Sequence, residues 1–122
     1  DIEARLRVAA NTKAADLVSA ERIRRAITDE IDRTLNGTDV LILPTMPSLP
    51  ITIEAARAGT PVIAMSSLIR PFNLSGHPAL TLPVPIEGSQ LKAGLQIVGR
   101  KGEDETVCAI AAHIEAMLAS NA

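Results

Sequence analysis

The chain has no tryptophan, no tyrosine and a single phenylalanine, Phe72. A core of ordinary size must therefore be assembled from Ala, Leu, Ile and Val. No aromatic platform exists on which bases or sugar rings could stack, beyond that one ring. The only cysteine is Cys108, so no internal disulfide can form. Lys and Arg total 12 against 14 acidic residues and are scattered, giving a formal net charge of −2. Without a basic stripe to neutralise phosphates, direct nucleic-acid binding is not expected. No apolar run approaches the roughly 18 residues of a membrane span. The longest uncharged stretch, 71–86, is broken by four prolines, and no membrane association is expected. A reducing, cytoplasmic setting follows as the default. No methionine stands at position 1, as expected of an excised or cleaved piece.

What is present is soluble-domain chemistry. Apolar residues make up 47% of the 122 and charged residues 21%, enough for one domain with one core. Residues 1–10 carry a short helical pattern. Thr12 can cap a second helix running to about Asn36. Along it Leu17, Ala20, Ile23, Ile27, Ile31 and Leu35 recur at spacings of three and four and make one stripe. Glu21–Arg25 and Asp29–Arg33 are spaced as i,i+4 ion pairs, and Asn36-Gly37 supplies a left-handed stop.

Val40-Leu41-Ile42-Leu43 is apolar throughout, the pattern of a strand covered on both faces, as in a parallel sheet. Pro44 is expected to end it. Residues 44–62 form a Pro-rich connection with a helical turn at 53–58, and a loop of that length suggests function. Residues 64–70 read as a short helix stopped before Pro71. Leu80-Thr81-Leu82 reads as a strand whose pairing Pro83 and Pro85 end, and 94–99 as the next strand. Glu103, Asp104 and Glu105 favour a helix start. The final helix places Val107, Ile110, Ala111, Ile114 and Leu118 on one face. The order of elements is α/β: a small mixed sheet flanked by helices.

The chemistry-bearing residues do not assemble into a catalytic centre. His77 sits between Gly76 and Pro78 in a turn, and His113 lies mid-helix outside the apolar stripe; each reads as an ordinary polar histidine. Cys108 and His113 point about 140° apart on a helix and cannot form a dyad. Cys108 reads as a small core residue. Ser89-Gln90-Leu91-Lys92 has the S-x-x-K spacing of serine–lysine acyl enzymes, but it falls in a polar turn. No metal-ligand cluster or cofactor motif is present, so no metal and no cofactor are expected. Thr45, Met46 and Ser48 follow a strand end, where open α/β sheets place ligands.

Four blocks in order carry a family resemblance. They are Asp39-Val40-Leu41-Ile42-Leu43-Pro44-Thr45, then Pro71-Phe72-Asn73-Leu74-Ser75-Gly76-His77-Pro78-Ala79, then Thr81-Leu82-Pro83, then Gly94-Leu95-Gln96-Ile97-Val98-Gly99, followed by the acidic helix start at 103–105. In sequence and spacing they resemble the C-terminal part of amidase-signature enzymes over nearly all of the chain. The resemblance implies that 1–122 is a C-terminal segment of a larger α/β/α fold. It implies amide-bond hydrolysis of a small-molecule substrate by a Ser–cis-Ser–Lys triad through an acyl-enzyme. That triad precedes the matched region, so no catalytic residue is assigned and the isolated segment is expected to be inactive. The resemblance further implies that Thr45, Met46, Ser66 and Ser67 shape the acyl-substrate pocket, and that the partner of this segment is the remainder of an amidase chain or a second copy. The A-type subunit of glutamine-dependent tRNA amidotransferase is a related alternative; it usually has an acidic residue near position 66, here Ser66. A free-standing, non-catalytic interaction domain is the alternative of a different class.

Overall fold

The computed structural model describes residues 2–120. The elements are α1 (Ile2–Ala9), α2 (Ala14–Leu35), β1 (Val40–Pro44), α3 (Ile53–Arg57), a 3-10 turn at Ile63–Ser66, α4 (Arg70–Ser75), β2 (Ala79–Pro85), β3 (Lys92–Gly99) and α5 (Asp104–Ser120). The α/β class with helices flanking a small sheet holds. The strand order is β1-β3-β2 and every pairing is antiparallel. A mixed sheet would need strands beyond these three.

The hydrogen-bond parity of the sheet follows from two contacts. Thr45 N–H donates to Gly94 O at 2.8 Å and Gly99 N–H donates to Pro78 O at 3.0 Å. Directly opposed residues in an antiparallel pair alternate between bonded and non-bonded sites. Leu41 and Leu43 therefore bond to β3, whereas Val40, Ile42 and Pro44 turn their backbone groups away from it. On the other side Leu80, Leu82 and Val84 bond to β3, whereas Pro83 and Pro85 face outward. Pro44 and Pro85 are the last residues of their strands, as expected, whereas Pro83 does not end the pairing of β2. Each occupies a site whose N–H the ladder does not use, so pairing continues through Pro44↔Leu95, Pro83↔Gly94 and Pro85↔Lys92.

Two apolar clusters lie on opposite faces of the sheet. On one, Ile31 and Leu35 of α2 and Phe72 of α4 pack with Val98, flanked by Ile27, Leu41 and Leu43. On the other, Val107 and Ala111 of α5 pack with Leu82 and Ile97, flanked by Val40, Leu80, Ile110 and Ile114. Gly99 admits α5: a Cβ there would lie 2.3 Å from Val107 Cγ2. The α5 stripe buries as its periodicity suggests. The α2 stripe does so only from Ile27 onward, since Leu17 and Ile23 remain about 60% exposed. Ile42 is 54% exposed, so β1 is not covered on both faces as its apolar run suggests; it is an edge strand.

Local details depart from expectation for identifiable reasons. Lys13, not Thr12, caps α2, and its N–H donates to the Asp16 carboxylate at 2.9 Å. Helix α4 begins at Arg70 and passes through Pro71, because proline is tolerated in a first turn, where its N–H would have no helical partner. Gly76 closes that helix with φ 78°. The Glu21–Arg25 pair forms at 3.1 Å, but Arg33 pairs with Glu30 rather than with Asp29.

Candidate functional site

Thr45 stands just beyond β1 on the sheet face shared by Leu41, Leu43, Gly94, Gln96 and Thr81. Its Oγ1 lies 3.1 Å from Thr81 Oγ1. Gly94 makes room for it: a Cβ there would be 2.5 Å from Thr45 Oγ1 and 2.8 Å from Thr45 Cβ. The glycine of the Gly94-Leu95-Gln96 block therefore serves to seat Thr45. Met46 leaves the strand end and lines a cavity of about 130 Å³ with Pro47, Pro50, Lys92 and Gly94.

The second pair of candidates arrives from the 63–70 segment. Ser66 Oγ donates to Ile63 O at 3.1 Å and accepts from Arg70 Nε at 3.0 Å. The same guanidinium also donates to the carbonyls of Ser66 and Ile63, so Arg70 clamps the 3-10 turn. Ser67 lines an open groove of about 480 Å³ with Ile27, Arg70, Pro71, Asn73 and Leu74. The link between this segment and the sheet is Gln96, 3% exposed, whose Nε2 donates to Leu68 O at 3.2 Å. Gln96 sits on the same sheet face as Thr45, so the carbonyl it holds is on that side of the sheet. The structure thus joins Thr45 to Met46 at the end of β1 and holds Ser66 and Ser67 on the turn that Gln96 anchors. Sequence reasoning left Gln96 out of the site; the signal was an amide at a buried position of an apolar central strand.

The sequence model of the Amidase family matches residues 2–108. The chain belongs to the amidase family. It is 38% identical over 102 residues to the A-type subunit of glutamyl-tRNA(Gln) amidotransferase from Sulfurisphaera tokodaii, a match covering 83% of this chain and 21% of that protein. It is 35% identical over 108 residues to fatty acid amide hydrolase of Medicago truncatula, covering 84% of this chain and 18% of that one. A solved amidase superposes with a TM-score of 0.83 at 31% identity, over 96% of this chain and 28% of that chain. The amidase segment thus spans about a fifth of the length of the curated relatives it matches.

Within this segment the structure also builds a polar chain that the sequence reading missed. His77 is not a solvated turn residue. Its side chain is fully buried, with Nδ1 2.7 Å from Ser75 Oγ and Nε2 3.0 Å from Asp32 Oδ1. Lys101 Nζ completes the chain at 2.9 Å from Asp32 Oδ2. The Lys101 ammonium, aided by His77, holds the Asp32 carboxyl below its usual range, so Asp32 accepts and His77 Nε2–H donates. Nδ1 faces the Ser75 hydroxyl. Serine, histidine and carboxylate are the elements of a hydrolytic triad. Here, however, Ser75 is 6% exposed and its hydroxyl points inward, toward Nδ1 and Phe72 O. The chain instead ties α2 to the α4–β2 corner. Its local signal was Ser75 two residues before His77; the Asp32 contact spans 45 positions, which no local pattern reveals.

The remaining reactive residues play no part in this arrangement. Cys108 is exposed rather than in the core. Ser89 Oγ accepts from the N–H of Leu91 within the β2–β3 turn, which agrees with the reading of the S-x-x-K match as a turn. Among the described residues no helix is long and apolar enough to cross a membrane.

Proposed function

We propose that these residues are the C-terminal segment of an amide hydrolase whose catalytic nucleophile lies outside them, and that Thr45, Met46, Ser66 and Ser67 form a wall of its acyl-substrate pocket. The observation that carries this reading is the family match over 2–108 combined with the small share of each relative that the chain covers. The geometry supports the wall. Thr45 is held by Gly94 and Thr81 at a strand end, and the 66–68 turn is pinned by Gln96 to the same sheet face. Ligands of open α/β sheets gather outside strand ends.

The substrate in this reading is a small-molecule amide, and the setting is cytoplasmic, with the remaining amidase polypeptide as partner. Hydrolysis is favoured over transfer of ammonia, because position 66 is a serine already engaged by Arg70 and offers no carboxylate to an amino group. Sequencing the coding region upstream of the Asp1 codon tests the assignment. A Gly/Ser-rich tract with a lysine before it is the expected result, and a start codon directly before Asp1 would overturn it. Purified 1–122 is expected to leave simple amides intact, and turnover abolished by Ser89→Ala would refute that part.

A further inference from the structure

The turn that carries Ser66 and Ser67 is bonded almost wholly to itself. Met65 N–H donates to Val62 O, Ser67 N–H to Ala64 O, Ile69 N–H to Ser66 O and Asn73 N–H to Ile69 O. The bonds of the Ser66 hydroxyl and the Arg70 guanidinium also stay within this stretch. Leu68 O falls at the joint between the 3-10 turn and α4, where no backbone N–H among the described residues reaches it. A backbone carbonyl shielded from water costs free energy when it is left unpaired. The buried Gln96 amide pairs it, with Nε2 at 3.2 Å. Among the described residues this is the one hydrogen bond of 63–69 whose partner lies outside 62–73. Packing does not replace it. Ile63, Met65, Leu68 and Ile69 join neither core cluster.

The donor itself stands on a rigid base. Gln96 lies in the central strand, opposite Leu43 of β1 and Thr81 of β2, so its backbone is held on both sides. Its neighbours on the same face of β3 are Gly94, which seats Thr45, and Val98, which packs with Phe72 of α4. Of the two polar atoms of its amide, only the nitrogen can donate to a carbonyl, so the acceptor also fixes how the side chain is turned. We infer that Gln96 is a positioning residue of the acyl-substrate pocket, acting through Leu68 O to hold the Ser66–Ser67 turn over the Thr45 face of the sheet. The inference rests on the proposed pocket wall and adds what keeps that wall in place. A wall residue contacts the substrate equally before and during reaction. Loosening the wall therefore raises KM and leaves kcat nearly unchanged.

The test uses the full-length enzyme that contains these residues, with straight-chain primary amides as substrates. Gln96→Met keeps the length of the side chain and removes the donor. Gln96→Asn keeps the amide but is one methylene too short for Leu68. Each should raise KM about three- to tenfold, the worth of one buried hydrogen bond, with kcat within about twofold of wild type. Hydrogen exchange should quicken at the Met65, Ser67 and Ile69 amides in both variants. The Ile97 and Val98 amides should stay as protected as in wild type. An unchanged KM in either variant overturns the proposal. So does a fall in kcat at constant KM, which would put Gln96 in the chemical step. Protection lost at Ile97 and Val98 as well would make Gln96 a residue of general stability and would equally overturn it. A wild-type enzyme that hydrolyses no amide refutes the amidase reading instead. The exchange rates then still decide the anchor, and equal rates at 65–69 in wild type and variants would sink it.

Discussion

The Gly99→Ala substitution isolates a single steric contact in the core. Gly99 lies on the α5 face of the central strand, and its φ is outside the left-handed region, so alanine meets no backbone obstacle. The obstacle is one methyl group. The new Cβ would sit 2.3 Å from Val107 Cγ2, while its next neighbours, Val107 Cβ and Glu103 O, are at 3.8 and 3.9 Å. Val107 cannot readily turn aside. It is β-branched and stiff at χ1, is 2% exposed, and packs with Leu82, Ile97 and Ala111. Overpacking of this kind costs about 1 to 3 kcal/mol, a measurable part of a domain stability of about 5 to 15 kcal/mol. Val107→Ala alone should also destabilise, on the order of 1 to 3 kcal/mol, through lost burial and a residual cavity. In that background the obstructing methyl is gone, so Gly99→Ala should be neutral, or stabilising by up to about 1 kcal/mol because alanine restricts the unfolded chain. Urea unfolding of all four proteins at one protein concentration reads this cycle, with the slope m unchanged. A Gly99→Ala cost below about 0.5 kcal/mol, or an equal cost in both Val107 backgrounds, would refute the steric account.

Two further outcomes concern the buried polar chain. His77→Ala removes an imidazole bonded at both nitrogens and leaves a cavity, and should lower stability by about 2 to 4 kcal/mol in the same unfolding assay; a loss within experimental error would mean that α2 is not held through this residue. Asp32 is held below its usual carboxyl range chiefly by Lys101. Its contribution is therefore fully present above the ordinary carboxylate range and is lost as pH falls through the depressed folded value. The melting temperatures of wild type and Asp32→Asn should differ at neutral pH and converge in strong acid, and a gap that widens on acidification would contradict the assignment.

Much of this protein was legible without coordinates. Periodicity located α2 and α5, the stop at Asn36-Gly37 ended the first of these, and the glycine and proline blocks marked the family, because these signals act within a few residues along the chain. What the sequence could not determine is which side of each strand uses its hydrogen bonds. Pro83 looks like a terminator until the β1-β3-β2 pairing shows that it occupies a site the ladder leaves idle. Burial was misjudged for the same reason. Ile42 and Ile23 are as apolar as their buried neighbours, and only the position of β1 at an edge and the reach of α2 beyond the sheet leave them exposed. The buried bonds of Gln96 and His77 leave no local signal, since their partners Leu68 and Asp32 lie 28 and 45 positions away. Local pattern determines where the chain turns and which face is apolar. Long-range pairing decides which of those faces finds a partner, because a hydrogen bond or a buried contact exists only once two distant segments meet.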